Sequence, residues 1–220
     1  MRLRAAFLFP ALFAAALPYG GSAADRVDRV DNNADYIMWA YAECLVRRNT
    51  DEARSVFGLL PQSSESNRML EELQRPACLR YATKFSIELR FDHTLIRGAM
   101  AEHLYERDDR DENPIAIYDP NADVAHGSYE QRYDFVFIRA TECALAGAPE
   151  AIDRVLATRV GSDEESAELA KVAQLLSPCL DDGVNVNLTS AMLRSYVAEA
   201  ALRRSAQAQA IRDSEAKTDA

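Results

Sequence analysis

Asp35-Tyr36-Ile37-Met38-Trp39-Ala40-Tyr41-Ala42-Glu43-Cys44-Leu45 and Asp134-Phe135-Val136-Phe137-Ile138-Arg139-Ala140-Thr141-Glu142-Cys143-Ala144 follow one pattern. Asp, Glu and Cys recur at a constant offset of 99, and most positions between them are apolar in both stretches. An apolar run of this length exceeds a typical strand and reads as a buried helix with an acid near its start. The correspondence extends outward. At the same offset Asp51 meets Glu150, Val56 meets Val155, Phe57 meets Leu156 and Ser63 meets Ser162. Further on, Pro76-Ala77-Cys78-Leu79 answers to Pro178-Cys179-Leu180. Ile96-Arg97-Gly98-Ala99-Met100-Ala101-Glu102 answers to Leu193-Arg194-Ser195-Tyr196-Val197-Ala198-Glu199 at an offset of 97. Four landmarks in the same order point to an internal duplication, with copies at about 35–105 and 134–202.

Each copy carries the same element signals. A second, short helix opens at Thr50-Asp51-Glu52 and at Pro149-Glu150, with acids in the first turn. A third follows Ser63/Ser64 and Ser162/Asp163 and stops near Pro76 and Pro178. Ile87-Glu88-Leu89-Arg90-Phe91 and Val184-Asn185-Val186-Asn187-Leu188 alternate strictly, the period of a half-buried strand. Asp92 and Thr189 then stand where an N-cap belongs. The last helices carry apolar stripes at Ile96, Ala99, Met100, His103, Leu104 and at Leu193, Tyr196, Val197, Ala200, Ala201. The expected fold is therefore mainly α, two four-helix halves related by a pseudo-twofold axis. The alternating segments either pair as a two-stranded β ribbon or serve as extended lead-ins. Residues 106–133 form a charged linker, and 205–220, which lacks apolar periodicity, reads as a disordered tail.

The 220 residues are 48% hydrophobic and 27% charged, a globular composition. With 25 Lys+Arg against 35 Asp+Glu the formal charge is −10, which argues against a nucleic-acid partner. Residues 1–24 have the three parts of a secretory signal: Arg2 and Arg4, an apolar stretch from Ala5 to Leu17, and Gly20-Gly21-Ser22-Ala23-Ala24. The apolar stretch contains Pro10 and is shorter than a membrane span. Cleavage after Ala24 would release a soluble chain, with no transmembrane span and residues 25–204 as its single domain. Only Lys84, Lys171 and Lys217 are lysines while Ala and Arg abound, a bias of GC-rich bacteria. The expected location is periplasmic or secreted.

Four cysteines in matching places of an exported chain read as two structural disulfides. Three connectivities respect the duplication. Chain proximity favours Cys44 with Cys78 and Cys143 with Cys179, closing loops worth about 4 kcal/mol each. The chain has no C-x-x-C and no His near a Cys, so zinc and dithiol chemistry are disfavoured and no cofactor is expected.

Glu43 and Glu142 interrupt apolar runs and fall on the helix faces of Tyr36 and Trp39, and of Phe135 and Ile138. A carboxylate there needs a partner. Arg97 and Arg194 are the candidates, forming duplicated buried ion pairs, while Glu102 and Glu199 lie off the apolar stripes and read as solvated. The competing reading sets Glu43 and Glu142 across the pseudo-axis as a carboxylate pair for acid/base work or metal binding. Asp119, Asn121, Asp123 and Glu130 have the spacing of oxygen ligands in an EF-hand loop, a weak resemblance. Val124 stands where that loop needs Gly, and Pro120 follows the first ligand. The alternative is an acidic linker leading into a helix start at Ser128-x-x-Gln131. His93, His103 and His126 form no helical ligand pair, and His103 reads as a core or rim residue. No nucleophile elbow, zincin, Walker or dinucleotide fingerprint occurs. The expectation is an interaction or structural module of the bacterial cell envelope with an unidentified protein or small-molecule partner. The enzyme alternative is a periplasmic hydrolase using Glu43 and Glu142 or a cleft between the copies.

Overall fold

A computed structural model describes residues 34–82, 92–107, 115–119, 122–181, 184 and 186–218. The signal segment and the first alternating segment, 87–91, lie outside the described residues. Nine α-helices occur among those described. In the first half these are α1 (Ala34–Arg48), α2 (Thr50–Ser55), α3 (Ser64–Leu73), α4 (Pro76–Ala82) and α5 (His93–Tyr105). The second half has α6 (Tyr129–Gly147), α7 (Glu150–Leu156), α8 (Asp163–Leu176) and α9 (Ser190–Thr218), with a 3₁₀ turn at Ser177–Cys179.

The starts follow local chemistry. Ser63 Oγ accepts from Ser66 N, Ser128 Oγ from Gln131 N and Ser162 Oγ from Glu165 N, each at 3.1 Å. Asp92 accepts from the backbone of Thr94 and Leu95, and Thr189 Oγ1 from Met192 N. Such caps satisfy donors that the first helical turn leaves without a partner. The third helices stop close to Pro76 and Pro178, as the spacing predicts. α3 has already stopped at Leu73, and Pro76 opens α4, where its missing N–H costs nothing. Pro178 sits inside the 3₁₀ turn.

The helices α5 and α9 lie at the centre, packed along each other, with α1 against α5 and α6 against α9. At the crossing, a Cβ built on Gly98 would stand 2.2 Å from Ser195 Cβ and 2.3 Å from its Cα, so only glycine fits. One apolar cluster runs from Trp39 and Leu45 through Met100 and Leu104 to Leu145, Val155 and Val197. Both halves thus share a core. Cys44–Cys78 ties α1 to α4, and Cys143–Cys179 ties α6 to the 3₁₀ turn, which is the connectivity chain proximity favours.

Three expectations change. Residues 186–189 form no strand, and no strand occurs among the described residues, so the β ribbon has no support. The tail expected to be disordered from 205 is helical to Thr218. Its Ala, Gln, Arg, Glu and Lys favour helix without an apolar stripe, and Gln209 is buried beside Ile115 and Leu202. The linker is not merely solvated either. Ile115 and Tyr118 are buried, Tyr118 N donates to Phe57 O at 3.0 Å, and α6 begins at Tyr129, inside the expected linker. No described helix is long and apolar enough to cross a membrane.

Candidate functional site

The arginines singled out by the sequence are buried, but their partners are not the expected glutamates. Arg97 is bidentate to Glu199, Nε and Nη2 donating at 2.9 Å each. Arg194 is bidentate to Glu102, at 2.8 and 2.6 Å. Each arginine thus crosses to the other half. The remaining donors stay at home in matching ways. Arg97 donates to Val56 O, Leu59 O and Ser66 Oγ, while Arg194 donates to Val155 O, Thr158 O and Glu165 Oε1. Trp39 Nε1 also donates to Glu102 at 2.7 Å. Burial works against the Arg194 charge, but Glu102 and Glu165 more than offset it and raise its pKa.

Glu43 instead lies on the narrow solvent seam of α1 formed by Tyr36, Ala40, Glu43 and Arg47, and meets Arg47 at 3.5 Å. Glu142 pairs with the buried Arg203 of α9, whose guanidinium lies 3.9 Å from the ring centroid of Tyr118. The expected Glu43–Arg97 and Glu142–Arg194 pairs do not form, because the apolar run leaves a one-residue-wide polar edge that the helical wheel alone does not reveal. Glu102 and Glu199, expected to be solvated, are 4% and 3% exposed. The stripe argument assumes a surface helix, whereas α5 and residues 191–203 of α9 are covered on nearly all sides. A signal for the swap was present in the sequence. Arg and Glu recur five residues apart, at Arg97 and Glu102 and again at Arg194 and Glu199, so two helices packed against each other can pair them reciprocally.

Of the calcium candidates, Asp119, Asp123 and Glu130 are exposed and Asn121 lies outside the described residues. Asp123 Oδ1 accepts from Ala125 N, a turn bond, and Glu130 sits in the first turn of α6. No group of three potential metal ligands occurs among the described residues.

A constellation that the sequence reading missed lies between the halves. A cleft of about 410 Å³ is lined by Gln62, Asp92 and Thr94 from the first half and by Tyr129, Tyr133 and Asp134 from the second. Asp134 is 4% exposed. Its Oδ2 accepts from Thr94 Oγ1 and its Oδ1 from Tyr196 Oη, both at 2.7 Å. Thr94 Oγ1 in turn accepts from Gln62 Nε2 at 2.9 Å. Each of the other buried acids among the described residues, Glu102, Glu165 and Glu199, holds an arginine. Asp134 has hydroxyl partners and no cation. Burial pushes its carboxyl above the usual carboxylate range, against the lowering effect of Thr94, Tyr196 and Gln62. Burial and the adjoining Asp134 charge likewise drive the Tyr196 phenol up.

Gln62 has φ 56°, the one positive φ outside glycine among the described residues; Gly161, 99 positions further on, has φ 74°. A side chain in this region costs about 1 kcal/mol that glycine avoids. At the sequence offset of 97, Thr94 corresponds to Ala191 and Tyr196 to Ala99, both buried. The polar cleft is therefore built on one side only. An aromatic file leads to it, with Tyr129, Tyr133, Phe137 and Tyr196 at successive ring separations of 5.9, 4.6 and 5.7 Å. The chain matches no protein-family model, no curated protein and no solved structure. Fold and site together define a disulfide-stapled, mainly helical protein with an acidic, tyrosine-walled cleft among its described residues.

Proposed function

We propose that this is an exported, internally duplicated interaction module of the bacterial cell envelope, holding a small polar ligand in the cleft between its copies. The observation that carries the reading is the one-sided cleft. Gln62 keeps a left-handed backbone where its counterpart is glycine, and its side chain is spent on the Thr94–Asp134 network. Strain retained at a cleft beside a buried acid is a mark of function rather than of packing.

The duplication draws support from the reciprocal Arg97–Glu199 and Arg194–Glu102 clasps, whose home-side acceptors Val56/Val155 and Leu59/Thr158 keep the offset of 99. Export draws support from the two disulfides and the signal-like residues 1–24. A hydrolase working from Glu43 and Glu142 loses its footing, since each carboxylate sits on an arginine of its own.

The reading is tested in two arms. Intact-mass analysis of protein recovered from its native compartment should find the chain beginning at Asp25 with all four thiols oxidised. A full-length chain or free thiols would remove export. A thermal-shift screen of small polar compounds should find at least one that stabilises the protein and loses its effect on the Thr94→Ala variant. If no compound discriminates the two, the cleft is not a binding site.

A further inference from the structure

The cleft's chemistry narrows what it can hold. Asp92, Glu130 and Asp134 bring three carboxylates to it, Tyr129 and Tyr133 bring two aromatic rings, and among the described residues no lysine, arginine or histidine lines it. An anionic ligand would face repulsion from these carboxylates with no described cation to offset it. The buried acid has no cation, unlike every other buried acid described. Tyr129 is exposed at the rim, with its ring 5.9 Å from that of Tyr133, so both rings are open to a ligand entering the cleft. Rings beside carboxylates are the arrangement that recognises organic ammonium groups, the carboxylate supplying charge and the ring faces a cation–π contact. The volume suits a small molecule rather than a peptide segment.

We infer that the cleft binds a small organic ammonium ion, a primary or quaternary amine. Its cation faces Asp134 and Asp92, and its aliphatic body lies against Tyr133 and Tyr129. The inference rests on the cleft being a ligand site, as proposed above, and adds the ligand's class. Asp134 holds the charge in place because Thr94 and Tyr196 fix both of its oxygens. Gln62 holds Thr94 in turn, so the strained turn acts as a positioning element for the acid.

The test uses the full mature chain and isothermal titration with choline and putrescine as ammonium probes, N-acetylglucosamine as a neutral saccharide and acetate as an anion. At least one ammonium probe should bind, and acetate should not. Asp134→Asn keeps the shape and should weaken binding by at least about tenfold. Tyr129→Ala alters an exposed ring, leaves the fold untouched and should weaken binding by about three- to fivefold. Ammonium binding that is unchanged in both variants would overturn the inference. Binding of the saccharide with no response to either amine would overturn the ligand class while leaving the cleft as a site. Silence from all four probes would overturn the ammonium assignment, and the screen on Thr94→Ala would then decide separately whether the cleft binds anything.

Discussion

Replacing Arg97 by Leu strips Glu199 of both charge-assisted bonds, and the remaining carboxylate, 4% exposed, has no water to turn to. Breaking a buried pair from one side costs about 3–5 kcal/mol, most of it the desolvated charge left behind. Glu199→Leu should cost about 3 kcal/mol, because Arg97 keeps its bonds to Val56 O, Leu59 O and Ser66 Oγ. Removing both at once strands neither charge. The double variant should be destabilised by about 2–3 kcal/mol less than the sum of the two single losses. With a slope of about 2 kcal/mol per molar urea, each single change moves the unfolding midpoint down by roughly 2 M, easily read by far-ultraviolet circular dichroism with the disulfides intact. Glu43→Ala is the control. Combined with Arg97→Leu it should be additive within about 0.5 kcal/mol, since the two side chains share no bond. A coupling of Arg97 to Glu43 above about 1 kcal/mol, or to Glu199 below about 0.5 kcal/mol, would refute the crossed clasp.

Cys143 is exposed and Cys44 is buried, so limiting reductant under native conditions should open Cys143–Cys179 first, as peptide mapping of trapped thiols would register. The loops are nearly equal, so deleting either bridge as a Cys pair should cost a similar amount, about 4 kcal/mol in urea melts. Gly98→Ala should destabilise by about 1–3 kcal/mol or more, and Ser195→Gly should restore less than half of it, because the Ser195 Cα is itself 2.3 Å from the added Cβ. His103 is disfavoured as a cation by burial, but Glu106 and the Trp39 carbonyl more than compensate and raise its pKa above 6.5. The stabilisation it contributes is complete below the unfolded value and lost as pH rises through the folded one. Thermal melts of the wild type should fall between pH 6 and 8, more than those of His103→Gln.

The elements were legible because the signals are local: acids and serines at helix starts, apolar runs too long for strands, and Cys44, Cys78, Cys143 and Cys179 close enough in the chain to pair. The clasp was legible only in part. Arg97 and Arg194 stood out as matching charges on apolar helices, yet their partners depend on which face of α5 meets α9, a tertiary fact. Asp134 was visible only as a helix-starting acid of the repeat. What distinguishes it from Asp35 is its surroundings: Gln62, Thr94 and Tyr196 arrive from three separate segments, whereas the positions at the sequence offsets of 99 and 97 hold Gly161, Ala191 and Ala99. The alternation at 184–188 left a ribbon and an extended lead-in both open, because a period of two suits either, and residues 186–189 form no strand.

The crossed clasps bear on cooperativity. Each arginine is seated among the carbonyls of its own half but neutralised by a glutamate of the other, so partial opening of either half leaves a charge in the wrong solvent on both sides. Intermediates with one half melted are thereby penalised, and heat or denaturant should take the molecule apart in a single transition, although its sequence reads as two units.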